Sequence, residues 1–204
     1  MSIEGEAGRT AARGAEHIIA EAVEKAGVRE SEPIALKAAD EAVIRGGAGP
    51  GSHGLSAADQ AALREYTGPS YRDINAYNRG APMSPEQAAH LEERSAAIST
   101  ALGKLPPHEG TVYRGGSFSE DLLSRYKPGE ILTEDAFTST SRVRGFKGNT
   151  QFEIVSSNGK YIAPFAEPRF RHQEEVLFDR GTQFRVLAHD LRDGKHFIIL
   201  REVG

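Results

Sequence analysis

Arg114, Ser139 and Glu175 are the residues of this sequence whose types could carry chemistry together. They stand in three separated runs: Val112-Tyr113-Arg114-Gly115, Phe137-Thr138-Ser139-Thr140-Ser141 and Gln173-Glu174-Glu175-Val176-Leu177-Phe178. A guanidinium presents a planar fork of donors that matches paired anionic oxygens. A serine hydroxyl both donates and accepts, so it can orient two neighbours at once. A carboxylate held at a reacting centre stabilises positive charge that develops there. Each run alone also has a plain structural reading. A strand arginine is commonly a solvated side chain, a Ser/Thr cluster a turn or sheet edge, and adjacent glutamates a wet surface. Chemistry requires a fold that brings the three runs together.

All three runs lie in a β-rich half. From Gly110 onward the chain reads as short strand-forming runs: TVYRG, EILTEDAFTSTS, TQFEIVSS, KYIAPF, EEVLF, TQFRVLAHD and KHFIILREV. Asn158-Gly159 and Asp193-Gly194 fall between consecutive runs, where hairpin turns are expected. Before Gly110 the pattern is helical. Ser56 with Asp59 predicts a capped helix through Tyr66, SYRDINAYNRG a short helix, and Ser84, Pro85 and Gln87 a helix running to about Thr100. Helices first and strands after predict an α+β fold, with two packed antiparallel-rich sheets whose cleft holds the ligand. Residues 1–45 form an alanine-rich helical segment, and residues 46–54, with five glycines and a proline, a linker. No strand precedes that linker, so no dinucleotide-binding loop is read there. The expected catalytic domain is residues 55–204.

Composition narrows the chemistry further. The 204 residues are 38% hydrophobic and 26% charged, which fits a stable globular fold and not a disordered chain. With no cysteine, disulfides, thiolate catalysis and Cys-based zinc sites are excluded. The seven histidines show no ligand spacing, and no metal site is expected. A net charge of −4 gives no global argument for nucleic acid. No apolar run reaches the roughly 20 residues that span a bilayer, and the N-terminus lacks a classical signal peptide. Export then needs another route, or the chain is a piece of a larger protein.

The three runs, in this order, resemble the Arg, Ser-Thr-Ser and Glu signature of the bacterial ADP-ribosyltransferase exoenzymes. The resemblance begins at LREYTG, YRDIN and Asn78-Arg79-Gly80, continues through YKPGEILTEDAFTSTS, and ends in EEVLFDRGTQFRVL. It implies an enzyme that takes NAD⁺ as substrate, releases nicotinamide and passes ADP-ribose to a macromolecule in a target cell. It implies that Glu175 is catalytic, that Arg114 binds the pyrophosphate or adjacent ribose, and that Ser139 orients both. Asn75 and Arg79 are implied to approach the phosphates and adenosine half, Gly115 the nicotinamide amide, and Phe146 to cover nicotinamide from a loop. Phe146 reads equally well as a hydrophobic anchor beneath that loop. Breaking the N-glycosidic bond builds oxocarbenium character on the ribose, which a carboxylate offsets.

Two features depart from the family's arginine-modifying members. The residue two before Glu175 is Gln173, not glutamate, which resembles the C3-like relatives that modify asparagine, and Phe170 matches their substrate-recognition aromatic. Arg169, Arg171, His172 and Arg180 also give this loop a basic setting, compatible with an acidic protein or RNA acceptor. A non-arginine acceptor is therefore expected. The same residues would serve an NAD⁺ glycohydrolase, and an inactive binding module of the same fold is a third possibility. The resemblance further implies a secreted or injected effector, a cognate immunity protein as a possible partner, and no membrane. Residues 1–45 are read as the trimmed end of a larger polymorphic toxin, in preference to a docking or delivery segment.

Overall fold

The computed structural model describes residues 54–143 and 147–204. The expected helical segment 1–45, the linker 46–54 except Gly54, and Phe146 lie outside the described residues. The described part opens with α1 (Ala57–Glu65), α2 (Tyr71–Asn78) and α3 (Pro85–Gly103). Ser56 and Ser84 cap α1 and α3 through reciprocal boxes with Asp59 and Gln87, as their spacing predicts. Lys104, just past α3, donates to both oxygens of Asp59 at 2.7 and 2.8 Å, so the end of α3 is tied to the start of α1. Between α1 and α2 the wide turn Tyr66–Ser70 is broken at Gly68, before Pro69. α3 buries Leu91, Ser95, Ile98 and Leu102, one stripe at the three- and four-residue spacing of a helix face.

Seven strands follow: β1 (His108–Gly116), β2 (Ile131–Glu134), β3 (Thr138–Ser141), β4 (Thr150–Tyr161), β5 (Glu175–Phe178), β6 (Thr182–Arg192) and β7 (Lys195–Glu202). A short helix α4 (Glu120–Leu123) sits between β1 and β2. The sheet order is β1-β3-β5-β4-β7-β6-β2, with β1 also pairing β4. All pairs are antiparallel except β4–β7. Strand β4 belongs to two layers. Its first part pairs with β1 and β7, and Lys160 and Tyr161 pair with Leu177 and Val176 of β5. The small β3–β5 layer thereby lies against the five-stranded layer while hydrogen bonds run through both.

Two cores result, and β5 is the wall between them. All four of its residues are buried. Because strand side chains alternate, Leu177 enters the core shared with Leu63, Tyr66, Ile74, Ile98 and Phe137, while Val176 and Phe178 enter the one shared with Val112, Phe152, Phe184 and Ile198. By the same alternation Glu175 lies on the helical side with Leu177.

The two predicted hairpin dipeptides part company. Asp193 and Gly194 have φ of 49° and 71° and turn β6 into β7 as expected. Asn158-Gly159 instead lies inside β4, which runs through it without reversing. The Glu202 carboxylate accepts the Ser157 and Asn158 amides, both at 2.7 Å, and so satisfies the backbone that a turn would have satisfied. Gly159 is needed for room: a Cβ there would meet Val176 Cγ1 at 2.9 Å and Phe178 Cε1 at 3.1 Å. The KYIAPF run likewise leaves the strand at Tyr161 and becomes a 3₁₀ turn, Ala163–Phe165, around Pro164.

Candidate active site

Strand β3 is built of four hydroxyl residues, and the last three have partners on the β5 side. Thr140 donates to the Val176 carbonyl and Ser141 to the Gln173 carbonyl, both at 2.7 Å. Ser139 donates to Glu175 Oε1 at 2.5 Å, the length of a charge-assisted bond. The Ser-Thr-Ser run is therefore a connector between the central strand and the loop before it, and its first serine orients the carboxylate. Glu175 is 8% exposed. Burial pushes its carboxyl above the ordinary value, and the Ser139 hydroxyl pulls the other way. A carboxylate kept dry and held in one orientation is preorganised to oppose positive charge.

Arg114 comes from β1, which joins β3 at the Tyr113–Ser141 pair. Its guanidinium lies over the Phe118 ring, 5.4 Å from the centroid. Phe118 is itself pinned through its backbone, since Asn149 accepts from its N–H at 3.0 Å and donates to its carbonyl at 2.9 Å. Gly115 is the next residue of β1. At the end of that strand Gly116 lies against Gly148, where a Cβ would come within 2.0 Å of the Gly116 carbonyl oxygen.

The helical side of the site converges on Tyr66, which the motifs did not single out. This tyrosine is 2% exposed, stands edge-on to Phe137 with centroids 5.3 Å apart, and accepts from Asn75 Nδ2 at 3.1 Å. Burial raises its phenol pKa. Asn75 lowers it, Glu175 raises it, and Arg114 and Arg79 lower it, so all three charges act on this one hydroxyl. Asn75 is 7% exposed and its Oδ1 has no hydrogen-bond partner among the described residues, an acceptor left for a ligand donor. Arg79 caps α2, its amide bonded to the Asn75 carbonyl at 3.1 Å. The signal available in the sequence was the position of Tyr66 at the end of the apolar stripe of α1, three residues after Leu63.

Phe170 and Gln173 are joined by a backbone bond of 2.9 Å across the 3₁₀ turn Arg171–Gln173, and both are half-buried. Arg169 stacks over Phe170 at 4.6 Å and pairs with Glu167 at 2.8 Å, while Arg171 donates to the Ala166 carbonyl. Arg169, Arg171 and His172 are exposed, so this loop is basic as expected. Arg180 is not part of it. Its guanidinium forks onto Glu92 of α3 at 2.6 and 2.8 Å and reaches Asn78 Oδ1 at 3.2 Å. The four residues of β5 carry the chain roughly 13 Å away from the loop before Arg180 is reached. Among the described residues no group of three His, Asp or Glu side chains is placed to hold a metal, and no helix is long and apolar enough to cross a membrane.

The sequence model of the ADP-ribosyltransferase exoenzyme family matches residues 44–203. Mav of Mycobacterium avium is 38% identical over 122 residues, 57% of this chain and 14% of Mav. Tre1 of Serratia proteamaculans, named an NAD(+)–protein-arginine ADP-ribosyltransferase, is 28% identical over 131 residues, 64% of this chain and 28% of Tre1. The chain spans between 14% and 51% of the lengths of the curated relatives it matches. Among solved structures, the ADP-ribosyltransferase Vis of Vibrio splendidus, in complex with agmatine, superposes with a TM-score of 0.63 at 26% identity over 74% of this chain and 76% of Vis. The Clostridium limosum C3 exoenzyme shares the fold, with a TM-score of 0.60 at 20% identity, 75% of this chain and 88% of that one. A family match over most of the chain, on a fold that sets Ser139 against a buried Glu175, means that this chain belongs to the ADP-ribosyltransferase exoenzyme family.

Proposed function

We propose that this chain is the catalytic domain of an NAD⁺-dependent mono-ADP-ribosyltransferase toxin, acting on a macromolecule inside a target cell. The observation that carries the reading is the 2.5 Å contact between Ser139 and the buried Glu175, on the side of the sheet where the charges of Arg114 and Arg79 converge on Tyr66. NAD⁺ binds with its anionic pyrophosphate toward these arginines. The bond between ribose C1′ and the nicotinamide nitrogen breaks, and nicotinamide leaves neutral with the bonding pair. The ribose becomes an oxocarbenium ion, which the Glu175 carboxylate stabilises more than it does the ground state. An acceptor nucleophile then forms the new bond at C1′ and gives its proton to solvent.

The acceptor in this reading is a neutral side chain on an acidic protein surface. Gln173 offers a donor and an acceptor but no charge, and Glu174 is engaged by Tyr161. Exposed Arg169 and Arg171 repel a cation and attract an acidic surface. Tre1 is named for arginine, which makes arginine the competing outcome. The test incubates the full chain with isotope-labelled NAD⁺ and a clarified lysate, measures nicotinamide release, and locates the label by mass spectrometry after protease or ribonuclease digestion. Label on protein side chains other than arginine supports the reading. Label on arginine removes the neutral-acceptor part, and ribonuclease-sensitive label makes RNA the acceptor. Release without label makes the chain an NAD⁺ glycohydrolase, and no release leaves a binding module. Delivery as an injected effector, and neutralisation by an immunity protein, complete the proposal.

A further inference from the structure

Glu174, between the acceptor-loop residue Gln173 and the catalytic Glu175, adopts the left-handed backbone conformation, with φ 50° and ψ 48°. Among the described residues Asp193 is the one other non-glycine at positive φ, and it sits in a two-residue hairpin turn where that conformation is ordinary. A non-glycine residue is disfavoured here, because its Cβ crowds the following carbonyl oxygen. Glycine would relieve that crowding, so the glutamate side chain must do something a glycine could not.

Its contacts show what that is. Tyr161 Oη donates to Glu174 Oε2 at 2.8 Å. The Arg142 guanidinium lies over the Tyr161 ring, 4.7 Å from the centroid, and the Arg142 amide donates to the Glu174 carbonyl at 3.0 Å. Tyr161 pairs with Val176 and packs on the core of the five-stranded layer, so the tether holds the loop from the face opposite to Glu175 and Leu177. Burial and the neighbouring Glu174 carboxylate push the Tyr161 phenol up to about 12, so it remains a donor across the working pH range. Glu175 has its own supports, the Ser139 bond and the β3–β5 ladder. Among the described residues, Gln173 and Phe170 are held by the Ser141 bond to the Gln173 carbonyl, the Arg169 stack over Phe170 and the bonds within the turn itself.

We propose that Glu174 is a positioning residue, latched to Tyr161 across the back of the sheet, that holds the Phe170–Gln173 loop in register for transfer to a macromolecular acceptor and leaves cleavage of NAD⁺ to Glu175. The proposal rests on the transferase reading above and adds that acceptor selection has a support separate from the catalytic carboxylate. A latch of this kind predicts a split between the two half-reactions: misplacement of the loop slows capture by an oriented acceptor, while water needs no orientation by it.

The test compares the wild-type chain with Tyr161→Phe, Glu174→Gly and Glu174→Gln. Tyr161→Phe keeps the ring beneath Arg142 and loses the hydroxyl, with its donation to Glu174 and its hydrogen bond with Arg142. Glu174→Gly relieves the backbone and loses the tether. Glu174→Gln keeps a side-chain carbonyl for Tyr161 to donate to. In purified protein, hydrogen exchange across residues 166–174 should accelerate about tenfold in the first two variants and stay near wild type in the third, with residues 176–178 unchanged. Nicotinamide release without acceptor should stay within about twofold, while label transferred to lysate per nicotinamide released falls about tenfold in the first two variants and is restored in Glu174→Gln. Unchanged exchange in Tyr161→Phe overturns the latch. Release falling in parallel with transfer overturns the separation from Glu175. A wild type that releases nicotinamide but labels nothing overturns the transferase reading instead, and exchange alone then decides whether the latch exists.

Discussion

Replacing Glu175 by glutamine removes one negative charge and little else. The amide has nearly the shape of the carboxylate, and its carbonyl oxygen can still accept from Ser139, which holds the present oxygen at 2.5 Å. What is lost is attraction to the ribose cation. For two unit charges about 4 Å apart in a partly dry site with an effective dielectric near 20, that attraction is about 4 kcal/mol. At about 1.4 kcal/mol per decade this corresponds to a roughly thousandfold fall in turnover, at the top of the range found when one preorganised electrostatic group is removed. Nicotinamide release measured under single-turnover conditions, with saturating NAD⁺, is the direct assay. Stability should move the opposite way. Burial raises the Glu175 pKa above the ordinary value of 4.5, so the folded state holds the proton more tightly than the unfolded state does. Stability is therefore lost as pH rises from 4.5 through the raised value, and the full cost of the buried charge is present above it. Glu175→Gln carries no such cost and should unfold at a higher temperature than wild type at pH 7, with the gain shrinking as pH falls through the raised value and gone below 4.5. A variant that retains turnover within a few-fold, or that melts lower than wild type at pH 7, would refute the argument that a buried, oriented charge is the catalytic device.

Ser139→Ala removes the one contact that lowers the Glu175 pKa, so the acid limb of the pH profile for nicotinamide release should move to higher pH; an unmoved limb would show that Ser139 does not tune the carboxylate. Arg114→Lys replaces a fork stacked on Phe118 with a point charge and should raise the KM for NAD⁺ about tenfold with a smaller change in kcat, read from initial rates. Gly159→Ala forces a methyl group against Ser156, Val176 and Phe178 and should cost about 1–3 kcal/mol in urea unfolding, whereas a neutral result would mean that β4 and β5 can separate freely. The Asp59 carboxyl is held at about 2 by Lys104 and Ser56, below the ordinary 3.8, so its contribution is present above 3.8 and lost as pH falls through about 2. Asp59→Asn should flatten that part of the acid unfolding curve monitored by circular dichroism.

Several features of this protein were written in short stretches of sequence. The capping boxes of Ser56 with Asp59 and Ser84 with Gln87, and the Asp193-Gly194 turn, involve groups a few bonds apart, so their geometry is decided locally whatever surrounds them. The order of helices and strands was legible for the same reason, and the three site runs could be named from their residue types and order. Asn158-Gly159 has the same local preference as a hairpin turn, yet there it lost. A turn dipeptide is worth little against two amides satisfied by Glu202, whose partner residues lie more than 40 positions away, and against close packing on Val176 and Phe178. Arg180 read as part of a basic loop because it is near in sequence, but β5 carries it across the domain to Glu92 and Asn78. Tyr66 was passed over because a tyrosine at a helix end carries no motif. Only packing against Phe137 and Asn75, within reach of the charges of Glu175, Arg114 and Arg79, joins it to the proposed site. Sequence alone determined which groups were available and which local elements would hold them. Tertiary structure decided which of them share one dry space, because burial and long-range pairing are properties of residues distant in the chain, and no local preference of about 1 kcal/mol can specify them.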